Sequence, residues 1–137
     1  MSHHITREHV QDWLDRYMRA WETYDPALIG DLFTEDAQYR WHPADDPTVG
    51  RAEIVDAWVN PGGNASSRDV PGTYTGRYEP YAVDGNRAVA IGVSEYWKDA
   101  SRTELDRLYF NNWLLEFGDD GRCSSFIEYW MSPRKSA

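Results

Sequence analysis

A single switch of hydrophobic period, from 3.6 residues to 2, divides this chain and limits what it can fold into. From Thr6 to about Thr23, Val10, Trp13, Leu14, Tyr17, Met18 and Trp21 recur at spacings of three and four, which makes one apolar stripe along a helix. Thr6 is a suitable N-cap. Asp25-Pro26 restarts the chain as a short second helix, with Asp25 as cap, Pro26 in the first helical position, and Leu28, Ile29, Leu32 and Phe33 pointing inward. The period then changes. Ala37, Tyr39 and Trp41 alternate with Gln38, Arg40 and His42, as in a strand, until Pro43 and Pro47 break the run into a loop ending at Gly50. Residues 52–59 form a third helix with Ile54, Val55 and Trp58 on its buried side, and the turn-rich stretch 60–72 is long enough to cover a site. The remainder alternates as strands: 74–83 and 86–97 joined by Asp84-Gly85, then 105–117 and 123–131 joined through Asp119-Asp120-Gly121. Early helices followed by long antiparallel strands predict an α+β domain, with three helices on one face of a bent sheet.

Composition narrows the function classes. The chain has 137 residues, ordinary for one domain, so residues 1–137 are read as a single unit. Aromatics make up 15%, including 7 Trp and 9 Tyr, which argues for a packed core. The net charge of −9 opposes binding to phosphate backbones or anionic membranes, so neither nucleic acid nor membrane is expected as partner. The lone Cys123 rules out an internal disulfide and a thiolate zinc cage. No apolar run reaches the ~20 residues of a membrane span, and the polar start is no signal peptide, so a cytoplasmic protein is expected. On that reading the acceptor-like triplet Asn64-Ala65-Ser66 is a chance match, and His3-His4 receives no role.

Three segments resemble the nuclear transport factor 2-like superfamily and, within it, the SnoaL-like branch. They are Tyr17 through Asp25 and Leu32-Phe33 to Glu35-Asp36-Ala37; Gly50-Arg51 with Ile54 and Trp58; and the terminal hairpin from Trp113 through Phe117 and Gly121-Arg122 to Glu128-Tyr129-Trp130. The resemblance implies a cystatin-like, cone-shaped α+β fold, a pocket between helices and sheet, and a homodimer. It also implies a small hydrophobic molecule as partner, acted on by cofactor-free acid–base chemistry of isomerase, cyclase, dehydratase or hydrolase type. The alternative is a non-catalytic binding or dimerisation module, because fold does not carry function. Set against the steroid isomerases of this superfamily, the chain places their oxyanion tyrosine on Tyr17. Their catalytic base falls on Trp41, however, and their proton-donating acid on or near Trp113, and an indole cannot replace a carboxyl group.

Glu128 is the foremost catalytic candidate. SnoaL-like cyclases and limonene-type epoxide hydrolases resemble this chain in placing a working acid on the last strand. A carboxyl buried among aromatics also resists ionisation and becomes a useful acid or base. Its bland alternative is an ion pair with Arg77 or Arg40, or a solvent-facing side chain. Tyr17 is a candidate hydrogen-bond donor. His42, beside Asp45 and Asp46, is either a second base or a strand-end residue capping a loop; a metal site of these three is weaker still. An epoxide-hydrolase set of Glu128, Arg107, Asn111 and Tyr17 is available, although Asp106-Arg107 does not complete an acid–arginine–acid triad around Glu128. Asn111 shares the parity of Trp113 and should face the cavity, where it either orients a ligand or satisfies the backbone. Glu95 is placed with Val93 and Trp97, either buried or reaching water. Trp13, Trp21, Tyr39, Trp41, Trp58, Trp113 and Trp130 are candidate pocket walls, with core packing as the competing explanation. No metal site or cofactor is assigned. Gly62-Gly63 does not form a phosphate-cradling loop, and Cys123 lacks a histidine neighbour for nucleophilic chemistry.

Overall fold

The computed structural model describes residues 4–64, 66 and 68–134. Helix α1 (Arg7–Thr23) is followed by α2 (Pro26–Gly30), strand β1 (Phe33–Arg40), β2 (Thr48–Val49), α3 (Arg51–Val59), and the four long strands β3 (Tyr74–Asp84), β4 (Arg87–Trp97), β5 (Leu105–Phe117) and β6 (Cys123–Met131). The strands form one open sheet in the order β2-β1-β6-β5-β4-β3. Three helices against a curved, unclosed six-stranded sheet give the expected α+β class. Four of the five strand pairs are antiparallel, and β1 joins β6 in parallel.

Local signals behave as their chemistry requires. Thr6 Oγ1 accepts the His9 backbone N–H at 3.0 Å, and Asp25 Oδ1 accepts that of Ala27 at 2.9 Å, so both helix starts are capped by their own side chains. The α1 stripe is buried at Val10, Trp13, Leu14, Tyr17 and Ala20, and the helix packs on β3. Four sequence readings need correction. Leu28 is 37% exposed, because α2 ends at Gly30 and turns only Ile29 into the core. Phe33 opens β1 rather than closing the helix. Thr48 and Val49, read as loop, pair with Tyr39 and Gln38. The first hairpin turns at Gly85-Asn86, one residue later than expected, because Asp84 still pairs with Arg87 and Gly85 supplies the left-handed φ of +60°.

Curvature has identifiable causes. Register shifts interrupt the β3–β4 pairing between Pro80 and Ala82, the β4–β5 pairing between Tyr96 and Trp97, and the β5–β6 pairing between Glu116 and Phe117; such bulges bend the strand that carries them. Pro80 is tolerated because β3 is an edge strand. Gly92 opposes Tyr78, and a Cβ there would collide with the Arg77 carbonyl oxygen and with the Tyr78 ring. The missing side chain lets that ring lie over Trp113, centroids 3.8 Å apart and 11° from parallel. His3 and Ala65 fall outside the described residues. No described helix is long and apolar enough to cross a membrane.

Candidate functional site

Alternation along three strands and one helical step build the site. On β5, Arg107, Tyr109, Asn111 and Trp113 share a face; on β4, Ser94 and Tyr96; on β6, Glu128 and Trp130. Helix α1 adds Tyr17 and Trp21, one turn apart, while Trp41 closes the side just beyond β1 and Tyr74 enters from β3. Together they enclose a cavity of about 240 Å³ on the concave side of the sheet. That is slightly below the roughly 300 Å³ at which ordinary ligand pockets begin, which suits one or two rings. Tyr17, Asn111 and Trp113 are buried deep in the fold, whereas Trp130 is 48% exposed.

Glu128 supplies the charge. It stands directly across the β5–β6 ladder from Trp113. Burial lifts its carboxyl from the ordinary 4.5 to about 7, opposed by the Trp113 indole N–H, which is turned toward it without closing a hydrogen bond. Among the described residues no arginine or lysine pairs with it; Arg40 donates instead to the Asp45 carbonyl at 3.2 Å. Five phenols surround this one carboxyl. Tyr17, Tyr39, Tyr74, Tyr78 and Tyr96 are all raised above the usual phenol range by burial, and each is raised further by the charge of Glu128. They remain neutral donors throughout the working pH range.

Two hydrogen-bonded groups support the wall. Tyr17 and Tyr39 share one bond of 2.6 Å between their hydroxyls. Two protons serve that pair and the bond uses one, so one remains, and of the two only Tyr17 lines the cavity. A longer chain links Asn111 Nδ2 to Tyr78 Oη (2.9 Å), Tyr78 Oη to Ser94 Oγ (2.7 Å), and Ser94 Oγ to Tyr74 Oη (2.9 Å). At the mouth, Arg107 ion-pairs with Asp69 and Asp106 and stacks over the Tyr96 ring at 4.3 Å.

The sequence candidates therefore separate. Glu128, Tyr17, Trp21, Trp41, Asn111, Trp113 and Trp130 line one cavity. Trp13 lies in the core, its indole N–H donating to the Leu32 carbonyl at 2.9 Å; Trp58 is likewise core, and Tyr39 stands one layer behind Tyr17. His42 is exposed beyond the end of β1, where Nδ1 accepts the Ala44 backbone N–H at 3.1 Å, so the structure does not bring this proposed second base to the cavity. Glu95 faces the outer side and accepts from Thr75 at 3.2 Å. Arg107 reaches the cavity but is held by Asp69 and Asp106, away from the bridging role an epoxide-hydrolase set requires. Burial pushes the Cys123 thiol up to about 12, which keeps it unreactive. Among the described residues no group of three or more His, Cys, Asp or Glu is placed to hold a metal. Tyr74, Ser94, Tyr96 and Tyr109 escaped the sequence reading. Tyr109 has the parity of Asn111 and was within reach of it; Ser94 and Tyr96 were hidden because Val93 and Trp97 drew the inward face to the wrong parity.

Comparison with known proteins agrees with this geometry. The model of the SnoaL-like domain matches residues 3–75, more than half of the sequence. The chain belongs to the SnoaL-like domain family. Two solved structures share its fold. One is a Kribbella flavida protein described as a "putative ketosteroid isomerase" (TM-score 0.66, 16% identity, covering 96% of this chain and 84% of that one). The other is a nuclear transport factor 2-like protein of unknown function from Burkholderia xenovorans (TM-score 0.64, 16% identity, covering 95% and 88%). No curated protein sequence matches the chain. At such identities these structures establish the nuclear transport factor 2-like cone fold, and this SnoaL-like chain's chemistry rests on its own residues.

Proposed function

We propose that this SnoaL-like protein binds a small hydrophobic molecule in the aromatic cavity and moves a proton on it with Glu128. The observation that carries this reading is a lone carboxyl, raised to about 7 by burial, inside a ring-walled cavity. A group poised there is partly ionised at neutral pH and can both take and return a proton. The ionised form would remove a proton from the carbon beside a ligand carbonyl, and the freed electron pair would move onto the carbonyl oxygen. The protonated form would then deliver the proton to another carbon of the conjugated system. With Tyr39 donating in their shared bond, Tyr17 would turn its own proton to the cavity and stabilise the oxygen that becomes charged. Isomerisation is the simplest outcome, and cyclisation or dehydration needs only a different leaving step.

Exchange of carbon-bound hydrogen tests this without the natural substrate. With cyclohex-2-enone in D₂O, the protein should accelerate deuterium uptake next to the carbonyl, and Glu128→Gln should lower that rate by about 100-fold or more. Equal rates for the two proteins would remove Glu128 from the chemistry.

One observation favours the second reading, a binding module without turnover: the positions where isomerases of this fold resemble the chain least are indoles, Trp41 and Trp113, leaving Glu128 as the lone carboxyl of the cavity wall. In that case ligand binding would persist and the exchange rate would match that of protein-free solution. A homodimer belongs to the same proposal. Phe110, Leu114, Ile127, Tyr129 and Met131 adjoin one another on the outer sheet face, where a second copy would cover them.

A further inference from the structure

Four buried side-chain polar atoms among the described residues have no hydrogen-bond partner: Trp21 Nε1, Trp58 Nε1, Asn111 Oδ1 and Trp113 Nε1. Three of them belong to residues that line the cavity; Trp58 lines a neighbouring cleft with Pro61 and Gly62, and Trp21 stands between the two. Native proteins leave few such groups, and each costs about 1–3 kcal/mol when nothing answers it. Trp113 and Asn111 are 1% and 5% exposed, too deep for bulk water to satisfy them cheaply. Their concentration in one cavity marks positions that a guest completes.

The polarity of each position is fixed. An indole N–H can only donate, so Trp21 and Trp113 both demand an acceptor; Tyr96 and Glu128 approach these two indoles without closing a hydrogen bond. Asn111 could in principle turn either end of its amide to the cavity. The hydroxyl chain behind it decides. The Met18 sulfur accepts and cannot donate, and Tyr74 Oη donates to it at 3.5 Å. With the Tyr74 proton committed, Ser94 donates to Tyr74 and Tyr78 to Ser94, so Tyr78 receives its bond from the Asn111 amide NH₂. That leaves the carbonyl oxygen as the unpartnered, accepting end of Asn111, a residue of the cavity lining.

Building on the cavity reading above, we infer that the ligand is a compact cyclic molecule bearing a carbonyl-type acceptor for the indoles of Trp21 and Trp113 and an N–H or O–H donor for Asn111 Oδ1. Lactams and hydroxy-ketones have this pattern. Purely hydrocarbon guests and ketones without a donor do not. The two tryptophans act here as specificity residues rather than passive walls, and Met18, although remote from the ligand, fixes the acceptor end of Asn111.

Indole N–H signals in nitrogen–proton correlation spectra provide the test, with 2-piperidone, N-methyl-2-piperidone and methylcyclohexane as probes. The lactam should shift the indole signals of Trp113 and Trp21 downfield and bind roughly fivefold more tightly than its N-methyl analogue, one hydrogen bond's worth. Asn111→Leu should erase that preference while leaving the indole shifts. Trp113→Phe should weaken both amides relative to the hydrocarbon. Equal binding of the lactam and its N-methyl analogue, or unmoved Trp21 and Trp113 indoles in unmutated protein with bound lactam, would overturn the inference while leaving the cavity reading intact. Failure of all three probes to move any cavity resonance would overturn both.

Discussion

At the scale of single residues, the chemistry rests on where Glu128 keeps its proton. A carboxyl whose folded value is about 7 and whose ordinary value is 4.5 binds more protons folded than unfolded between those limits. Its contribution to stability is therefore full below about pH 4.5, declines as pH rises, and is lost above about pH 7, a change of about 3 kcal/mol. Glu128→Gln removes this titration. The variant should be more stable than the parent above pH 7 by about 2–3 kcal/mol and should show a flatter profile below it; urea unfolding at several pH values checks both. Gain of stability with loss of proton transfer is the pattern expected of a functional group kept at a structural cost. Asn111 and Trp113 were legible in the sequence because alternation along the second half of β5 is clean, whereas Glu128 was reached through the likeness of the last strand to that of SnoaL-like proteins. Alternation set His42 opposite Tyr39 and Trp41, and the structure keeps it outside the cavity; its candidacy as a base came from its residue type and the neighbouring Asp45 and Asp46, which do not fix where a side chain points.

At the scale of elements, the cavity wall depends on one close approach. Tyr78 stacks on Trp113 across the space that a side chain at residue 92 would occupy, and it also carries the hydrogen-bond chain to Asn111. Gly92→Ala should press on the Arg77 carbonyl as well as displace that ring, cost about 3 kcal/mol by overpacking, and disturb the near-ultraviolet circular dichroism of Trp113. Thr6→Ala, which loses only the α1 cap, should cost about 1 kcal/mol and leave that spectrum unchanged. Helix starts and strand runs could be read from capping residues and period, since both are local. The parallel β1–β6 pairing and the Thr48–Val49 strand could not, because each depends on chain segments far apart in sequence. The inward face of β4 was obscured for a different reason. Val89, Ile91 and Val93 are apolar on the outer side, so hydrophobicity marked both faces and alternation lost its meaning.

That same two-sided character belongs to the whole molecule. A sheet packed on one face and solvated on the other normally carries polar residues outside. Here Phe110, Tyr129 and Met131 are each more than 40% exposed on the outer face. The protein should run at twice the mass of one chain in light scattering, and Leu114→Asp should halve that mass while leaving the fold intact. A parent protein that is monomeric at high concentration would contradict this. The cavity lies on the opposite, concave side, so ligand binding should survive in the monomeric variant.

The most direct test of the account as a whole is the carboxyl carbon resonance of Glu128, followed by nuclear magnetic resonance as pH is varied in the intact protein. A midpoint near 7 is the expected result, since burial inside the ring-walled cavity disfavours the ionised form. A midpoint near 4.5 would mean that water reaches the carboxyl freely, and would contradict its role as the proton-transferring group.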